Sequence, residues 1–357
     1  MRMFGQNIPK ELVFILIMIF SALHASERRI GVLVNPDFRG EHAFAYRIKS
    51  ACKNIHWNAD LLDVRNLEEF RKNSYDFVIH LTPETYKHQN CKNYLAIFHP
   101  AYHYFKKGGF LKRKYQHYDG YLLTYLPGAN GTKKGDFENK LKFPHIRWYP
   151  TAQRREYRIV DPSHLFYICC AWGNRWEDEK FTQLLRLLDT ESYMQLYGNQ
   201  TFQSYYPKSY RGTVPYDEES LCKRIAQAGV ALVLHSSQHN ALALPSGRIF
   251  EAAEASAVII CDQNSFVQEH FGDSVFYINT DSDSLSIYSQ IQHHMNWIGT
   301  NKIQALEKAK RAHEIYLEKF SLEDQLLQLE ELHVRLSNKP TNFVWKWLEF
   351  FQHGCFK

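Results

Sequence analysis

Residues 230 to 262 read Val-Ala-Leu-Val-Leu-His-Ser-Ser-Gln-His-Asn-Ala-Leu-Ala-Leu-Pro-Ser-Gly-Arg-Ile-Phe-Glu-Ala-Ala-Glu-Ala-Ser-Ala-Val-Ile-Ile-Cys-Asp. Val230 to Leu234 is a short unbroken apolar run, β-branched enough for a strand buried on both faces. A polar loop follows, with His235, Ser236, Ser237, His239 and Asn240. Pro245 and Ser246 then open a helix, and Ala257 to Cys261 forms a second buried strand that ends at Asp262. The polar residues of this β-loop-α-β unit gather at the carboxyl end of a strand and the amino end of a helix. Parallel sheets bind their ligands at such places.

The same alternation runs outward in both directions. Before the stretch, Leu165 to Ala171 and Tyr193 to Tyr197 read as strands, with a helix from Glu177 to Leu188 between them. After it come a helix near Phe266 to His270, a strand Ser274 to Ile278, and helices from about Leu285, Lys302 and Leu322. The first half repeats the pattern, with strands at Ile30 to Val34, Ala59 to Val64, Phe77 to Leu81, Leu95 to His99 and Gly120 to Tyr125. Helical spacing covers Ala43 to Cys52 and Leu67 to Lys72. Strands alternating with helices imply parallel sheets in an α/β fold. A chain of 357 residues exceeds one ordinary core and suits two domains. Residues 28–150 form the first and 151–336 the second, joined through Pro150 to Pro162, with the ligand cleft expected between them.

Composition narrows the partners. Forty-three Lys and Arg against 38 Asp and Glu leave a net charge of +5, too mild to argue for nucleic acid. Aromatic residues make up 15% of the chain, which suits a well-packed core as readily as a sugar-handling surface. Lys106, Lys107, Lys112, Arg113 and Lys114 form a basic patch mixed with aromatics. It reads as a solvated face, with contact to an acidic acceptor or lipid headgroups as the alternative. Residues 1–25 pair a basic flank, Arg2 and Lys10, with the apolar core Leu12 to Phe20 and small residues up to Ala25. This pattern is that of a signal peptide, and points to the secretory pathway or cell envelope. An uncleaved anchor is the alternative, although a helix over residues 12–23 would reach only about 18 Å against a bilayer core of about 30 Å.

Residues 337–357 form an aromatic and basic tail with Phe343, Trp345, Trp347, Phe350 and Phe351, able to lie in a membrane interface or pack back on the body. The seven cysteines include no Cys-x-x-Cys pair, and Cys169, Cys170 and Cys261 fall inside expected buried strands. His99/His103 and His235/His239 have i, i+4 spacing. Pro100 spoils a helix at the first, the second sits in a strand-exit loop, and no third ligand is evident. No metal or other cofactor is expected.

Pro245-Ser246-Gly247-Arg248-Ile249-Phe250-Glu251-Ala252, running on to Asp262, resembles the carboxyl-terminal domain of GT-B glycosyltransferases. The likeness is greatest to the CgeB (spore maturation protein) type with its Ser-x-Arg-x-Phe-Glu motif. Three weaker matches follow the same order. Gly173-Asn174-Arg175 followed by Lys180 resembles the Arg-x4-Lys that meets the donor diphosphate. Tyr210-Arg211-Gly212 resembles the strand ahead of the donor site, and Glu269 to Gly272 with Asp283 to Leu285 the segment beyond it. The resemblance covers roughly residues 165 to 320; residues 28–150 match only in pattern.

The resemblance implies two Rossmann-like domains facing a cleft, and transfer of a sugar from a nucleotide-sugar donor to a glycan, lipid-linked or protein acceptor. The residue types suit that chemistry. A ribose diol fits a carboxylate accepting two hydrogen bonds, which assigns Glu251. A diphosphate fits a helix amino terminus and cations, which assigns Ser246, Gly247, Arg248, Arg175 and Lys180, with Gly173, Arg211 and His235 nearby in the donor set. The plainer reading of Glu251 is a carboxylate set against the helix dipole. One departure bears on the chemistry: retaining relatives carry a second glutamate eight positions earlier, and that position here is Ala243. Retention and inversion both stay open. An inverting reaction needs a base on the first domain, for which Asp37, His42, His99 and His103 stand at strand exits. The alternative is a two-lobed homologue that binds nucleotide or glycan without turnover.

Overall fold

The computed structural model describes residues 27–83, 86–98, 117–124, 144–169 and 178–338. The proposed leader, the tail from residue 339 onward, His99, His103, the basic patch, Cys170, and Gly173 to Arg175 lie outside the described residues. Among the described residues, eleven strands form two sheets, and every pairing is parallel.

The first sheet has the order β2-β1-β3-β4-β5-β6. Its strands are β1 (Arg29–Val34), β2 (Asn58–Asp63), β3 (Phe77–His80), β4 (Lys92–Ile97), β5 (Gly120–Leu123) and β6 (His145–Arg147). The second sheet, β11-β10-β9-β7-β8, is built from β7 (His164–Cys169), β8 (Met194–Gly198), β9 (Gly229–Val233), β10 (Val258–Asp262) and β11 (Phe276–Ile278). Counted within its own domain, the first sheet winds 2-1-3-4-5-6 and the second 2-1-3-4-5, so the strand order reverses beside β1 in one and beside β7 in the other. Crevices open at the carboxyl ends of strands at such reversals. The site below draws on the helix Arg39–Asn54, which follows β1, and on the helix Gly247–Glu254, which follows β9.

The central strands are apolar throughout, and Val230, Val258, Ile259 and Ile260 are all fully buried, as strands covered by helices on both faces must be. Cys169 and Cys261 are buried in β7 and β10. Helix α1 (Arg39–Asn54) leaves β1 and covers the first sheet with Phe44, Ala45, Ile48, Ala51 and Cys52. Further along, α2 (Leu67–Lys72), α3 (Glu179–Leu188), α4 (Phe202–Tyr205) and α5 (Ser220–Ala228) precede the opening stretch. That stretch contributes α6 (Ser237–Ala241) and α7 (Gly247–Glu254), and α8 (Ser265–Phe271), α9 (Ser284–Thr300) and α10 (Lys302–Lys319) follow.

The last helix, α11 (Leu322–Ser337), crosses back to the first sheet, where Leu322, Leu326, Leu329 and Leu332 join the core of Ile30, Val32 and Trp148. Their spacing forms one helical stripe, and full burial of each leucine contributes about 1.5–3 kcal/mol. The connection between domains is fastened rather than loose. Tyr149 packs edge-on to Phe320 at 5.5 Å and against Phe266 at 5.3 Å. Tyr316 donates to the Ala152 carbonyl at 2.8 Å, and Arg154 pairs with Asp324 at 2.6 Å.

Candidate functional site

The loop from His235 to Ser246 is held by two side chains at the exit of β10. Asp262 accepts from the His235 backbone N–H at 3.1 Å, from His235 Nδ1 at 2.6 Å and from Asn240 Nδ2 at 2.7 Å. Asn264 donates to Asn240 Oδ1 at 2.9 Å and to the Leu244 carbonyl at 3.1 Å, while its own oxygen caps α8. The loop therefore delivers Ser246 in a defined place. Ser246 is the N-cap of α7, its hydroxyl accepting from the Arg248 N–H at 3.3 Å. Gly247 follows because the linker backbone lies against it: a Cβ there would stand 2.9 Å from the Pro150 carbonyl oxygen.

Glu251 sits in the second turn of α7, a helix whose first turn has no acidic residue. A dipole effect confined to the first turn does not account for it. Its carboxylate is 4% exposed and lies between two arginines from different domains. Arg248 pairs with Oε2 from within α7. Arg47, on α1 of the first domain, places Nη1 2.5 Å from Oε1 and also donates to the Thr151 carbonyl at 3.3 Å. Burial pushes the Glu251 carboxyl up, but Arg248 and Arg47 outweigh it and hold it below the ordinary glutamate range. Three residues on, Glu254 is paired with Arg155 at 2.6 Å; burial, helped by the nearby Glu251 charge, outweighs Arg155 and the more distant Arg47 and pushes the carboxyl up to about 7.

These groups line a partly open space between the domains, about 50 Å³ between the described residues. Gly40, Ala43 and Arg47 of α1 form one wall; Val214, Pro215 and Tyr216 form another; Arg248, Glu251 and Glu254 form the floor. At the mouth, the Arg39 guanidinium lies 5.7 Å from the centre of the Tyr216 ring, a second contact between the domains. An apolar wall beside a carboxylate and two guanidinium groups is suited to a polar anion with a flat apolar part.

No protein-family model matches the chain, and no curated protein matches it in sequence. Solved structures do match. Sucrose-phosphate synthase from Thermosynechococcus elongatus superposes with a TM-score of 0.54 at 10% identity, over 87% of this chain and 99% of that one. A glycosyltransferase from Rickettsia africae gives 0.52 at 9% identity, over 88% and 100%. The Anabaena protein HepE, in complex with UDP and glucose, gives 0.51 at 10% identity, over 86% and 99%. Whole-length superposition on these two-domain chains decides the architecture. The chain has the GT-B fold.

Within this GT-B cleft the expected donor residues divide. Ser246, Gly247, Arg248 and Glu251 are brought together on α7. His235 is not at the cavity wall: its side chain is fully buried, with Nδ1 committed to Asp262. Arg211 turns its guanidinium to the carbonyls of Lys208, at 2.7 Å, and Tyr210, at 3.2 Å. Lys180 reaches the Thr280 carbonyl at 2.6 Å beyond β11. Of the base candidates, Asp37 is exposed and lies 3.7 Å from Arg65, and His42 packs edge-on to Tyr46 at 5.1 Å. Neither is among the residues lining the cavity. Gly173, Arg175, His99 and His103 lie outside the described residues.

Among the described residues, His235, Cys261 and Asp262 are the one group whose ligand atoms come within 4.8 Å of one another. The Asp262 oxygens are already taken up by N–H donors, so the group serves as the anchor of the loop from His235 to Ser246.

Arg47, Arg39 and Tyr216 were not singled out in the sequence, although all three bridge or line the GT-B cleft. Arg47 had a signal of its own: it lies four residues from Ala43 and four from Ala51, on the buried stripe of α1. A charge on an apolar stripe requires a partner. The identity of that partner, 204 positions later in the chain, has no trace in local pattern.

Proposed function

We propose that this chain is a glycosyltransferase that moves a sugar from a nucleotide-sugar donor to a glycan, lipid-linked or protein acceptor. The observation that carries the reading is Glu251: a buried, ionised carboxylate in the second turn of α7, in the cleft, with arginines on both sides. Such a carboxylate accepts two hydrogen bonds from a ribose diol, and Arg248 with the capped start of α7 suits the diphosphate. In the transfer, the bond from the glycosyl carbon to the diphosphate oxygen breaks and a bond to an acceptor oxygen forms. The positive groups stabilise the charge that develops on the leaving diphosphate. This charge balance is consistent with a donor site that works without a resident metal. The Ser-x-Arg-x-Phe-Glu motif at residues 246–251 supports a CgeB-like subtype. HepE, of the same fold, was solved with UDP and glucose, which makes UDP and UDP-hexoses the first donors to try.

Ala243 favours a second reading, a GT-B homologue that binds nucleotide without turnover, because the position lacks the carboxylate of retaining relatives. Titration with UDP, GDP and their sugars, read by calorimetry and thermal shift, separates the two. We expect one nucleoside diphosphate to bind, and Glu251→Gln to weaken it by about 10- to 100-fold, the loss of a charged hydrogen-bond pair. Absence of binding by every nucleotide overturns the donor site. Binding with no hydrolysis or transfer from any sugar donor selects the second reading.

A further inference from the structure

Helix α1 sends two cations across the cleft from its two sides of the cavity. Arg39, at its start, covers the Tyr216 ring at the mouth, and Arg47, two turns on, engages Glu251 at the floor. Between them, Gly40 and Ala43 wall the space with the smallest side chains available. One feature of this arrangement does not suit a waiting donor site. Both carboxylate oxygens of Glu251 are already engaged by guanidinium groups, one of them from the opposite domain.

We propose that the Arg47–Glu251 pair, aided by Arg39 on Tyr216, is a latch that holds the two domains together over the donor site, and that a nucleoside diphosphate must displace Arg47 from Glu251 to enter. The proposal rests on Glu251 belonging to the donor site. Arg47 is suited to the part because Glu251 keeps Arg248 as a partner when Arg47 leaves. Closing the cleft in this way lowers the fraction of chain competent to bind, and apparent affinity falls by that same fraction. Arg47 is thus a positioning residue that acts through Glu251 and through the domain angle.

The test compares the full-length wild type with Arg47→Met and, because a buried substitution can harm folding, with the exposed-end variant Arg39→Ala. Calorimetry with UDP and GDP is paired with small-angle X-ray scattering with and without nucleotide. The latch predicts that Arg47→Met binds the nucleotide about tenfold more tightly and that Arg39→Ala tightens it by a smaller factor. It also predicts that the nucleotide-free variants have a larger radius of gyration than nucleotide-free wild type. If Arg47→Met binds more weakly, Arg47 is a donor ligand and the latch is wrong. If affinity and scattering are both unchanged, the pair is only structural and the latch is again wrong. Failure of the donor site itself looks different: neither wild type nor any variant binds a nucleotide.

Discussion

Glu251 and Glu254 stand less than one turn apart in α7, both buried, yet their carboxyls are driven in opposite directions. Two arginines hold Glu251 low, whereas at Glu254 burial outweighs Arg155 and the more distant Arg47. The consequence for stability has a definite sign. Glu254 keeps its proton in the folded chain up to about pH 7 but loses it near 4.5 when unfolded, so the folded state is favoured below that window and loses stability as pH rises through it. The loss is on the order of a few kcal/mol, since each tenfold change in proton affinity is worth about 1.4 kcal/mol. Glu251 acts the other way, stabilising above the ordinary glutamate range and losing that contribution as pH falls through its lowered value. Urea unfolding of wild type and Glu254→Gln at pH 5 and pH 7.5 tests this. Wild type should lose more stability between the two than the variant, and equal losses would show that Glu254 does not titrate in this range. Ala243 is a further residue-scale feature: at φ +50° it occupies the left-handed region, which costs an L-residue about 1–2 kcal/mol. The structure gives no reason for alanine rather than glycine there.

At the scale of elements, the buried strands were legible because an apolar run of five between polar loops has few other uses. β7, β8, β9 and β10 all fall within one or two residues of their sequence-based bounds. β6 was missed: its three residues, His145–Arg147, sit at a sheet edge with no apolar run. α6 was missed within a loop because none of its residues is buried; its geometry comes from Ser236, whose hydroxyl accepts from the His239 N–H, and from Asp262 through Asn240. The join of α5 to β9 rests on one glycine. Gly229 closes the helix at φ +80°, and a Cβ there would lie 2.0 Å from the Asp161 carbonyl oxygen. Gly229→Ala should destabilise the chain by about 2 kcal/mol or more, read as a lower urea midpoint with unchanged slope. A midpoint equal to wild type would mean the linker yields freely at this contact.

The whole molecule is tied together by the crossing of α11. The four leucines of that helix complete the core of the first sheet, and Glu323 at its start accepts from Asn54 at 2.7 Å and from the Arg154 backbone N–H at 2.8 Å. The first domain is therefore incomplete without the carboxyl-terminal part of the chain. Leu329→Ala should cost about 2–5 kcal/mol, and limited proteolysis should then cut first within residues 28–150. Cleavage confined to the second domain would contradict this dependence. The order of buried strands and helices, the α/β class and the placing of Ser246, Gly247, Arg248 and Glu251 at one helix were determined by sequence alone, because each rests on side chains close together in the chain. The pairing of Arg47 with Glu251, the burial of His235 on Asp262, the turning away of Arg211 and the return of α11 were decided only by tertiary structure. They join residues far apart in the chain, and local pattern carries no record of which distant group will satisfy a buried charge.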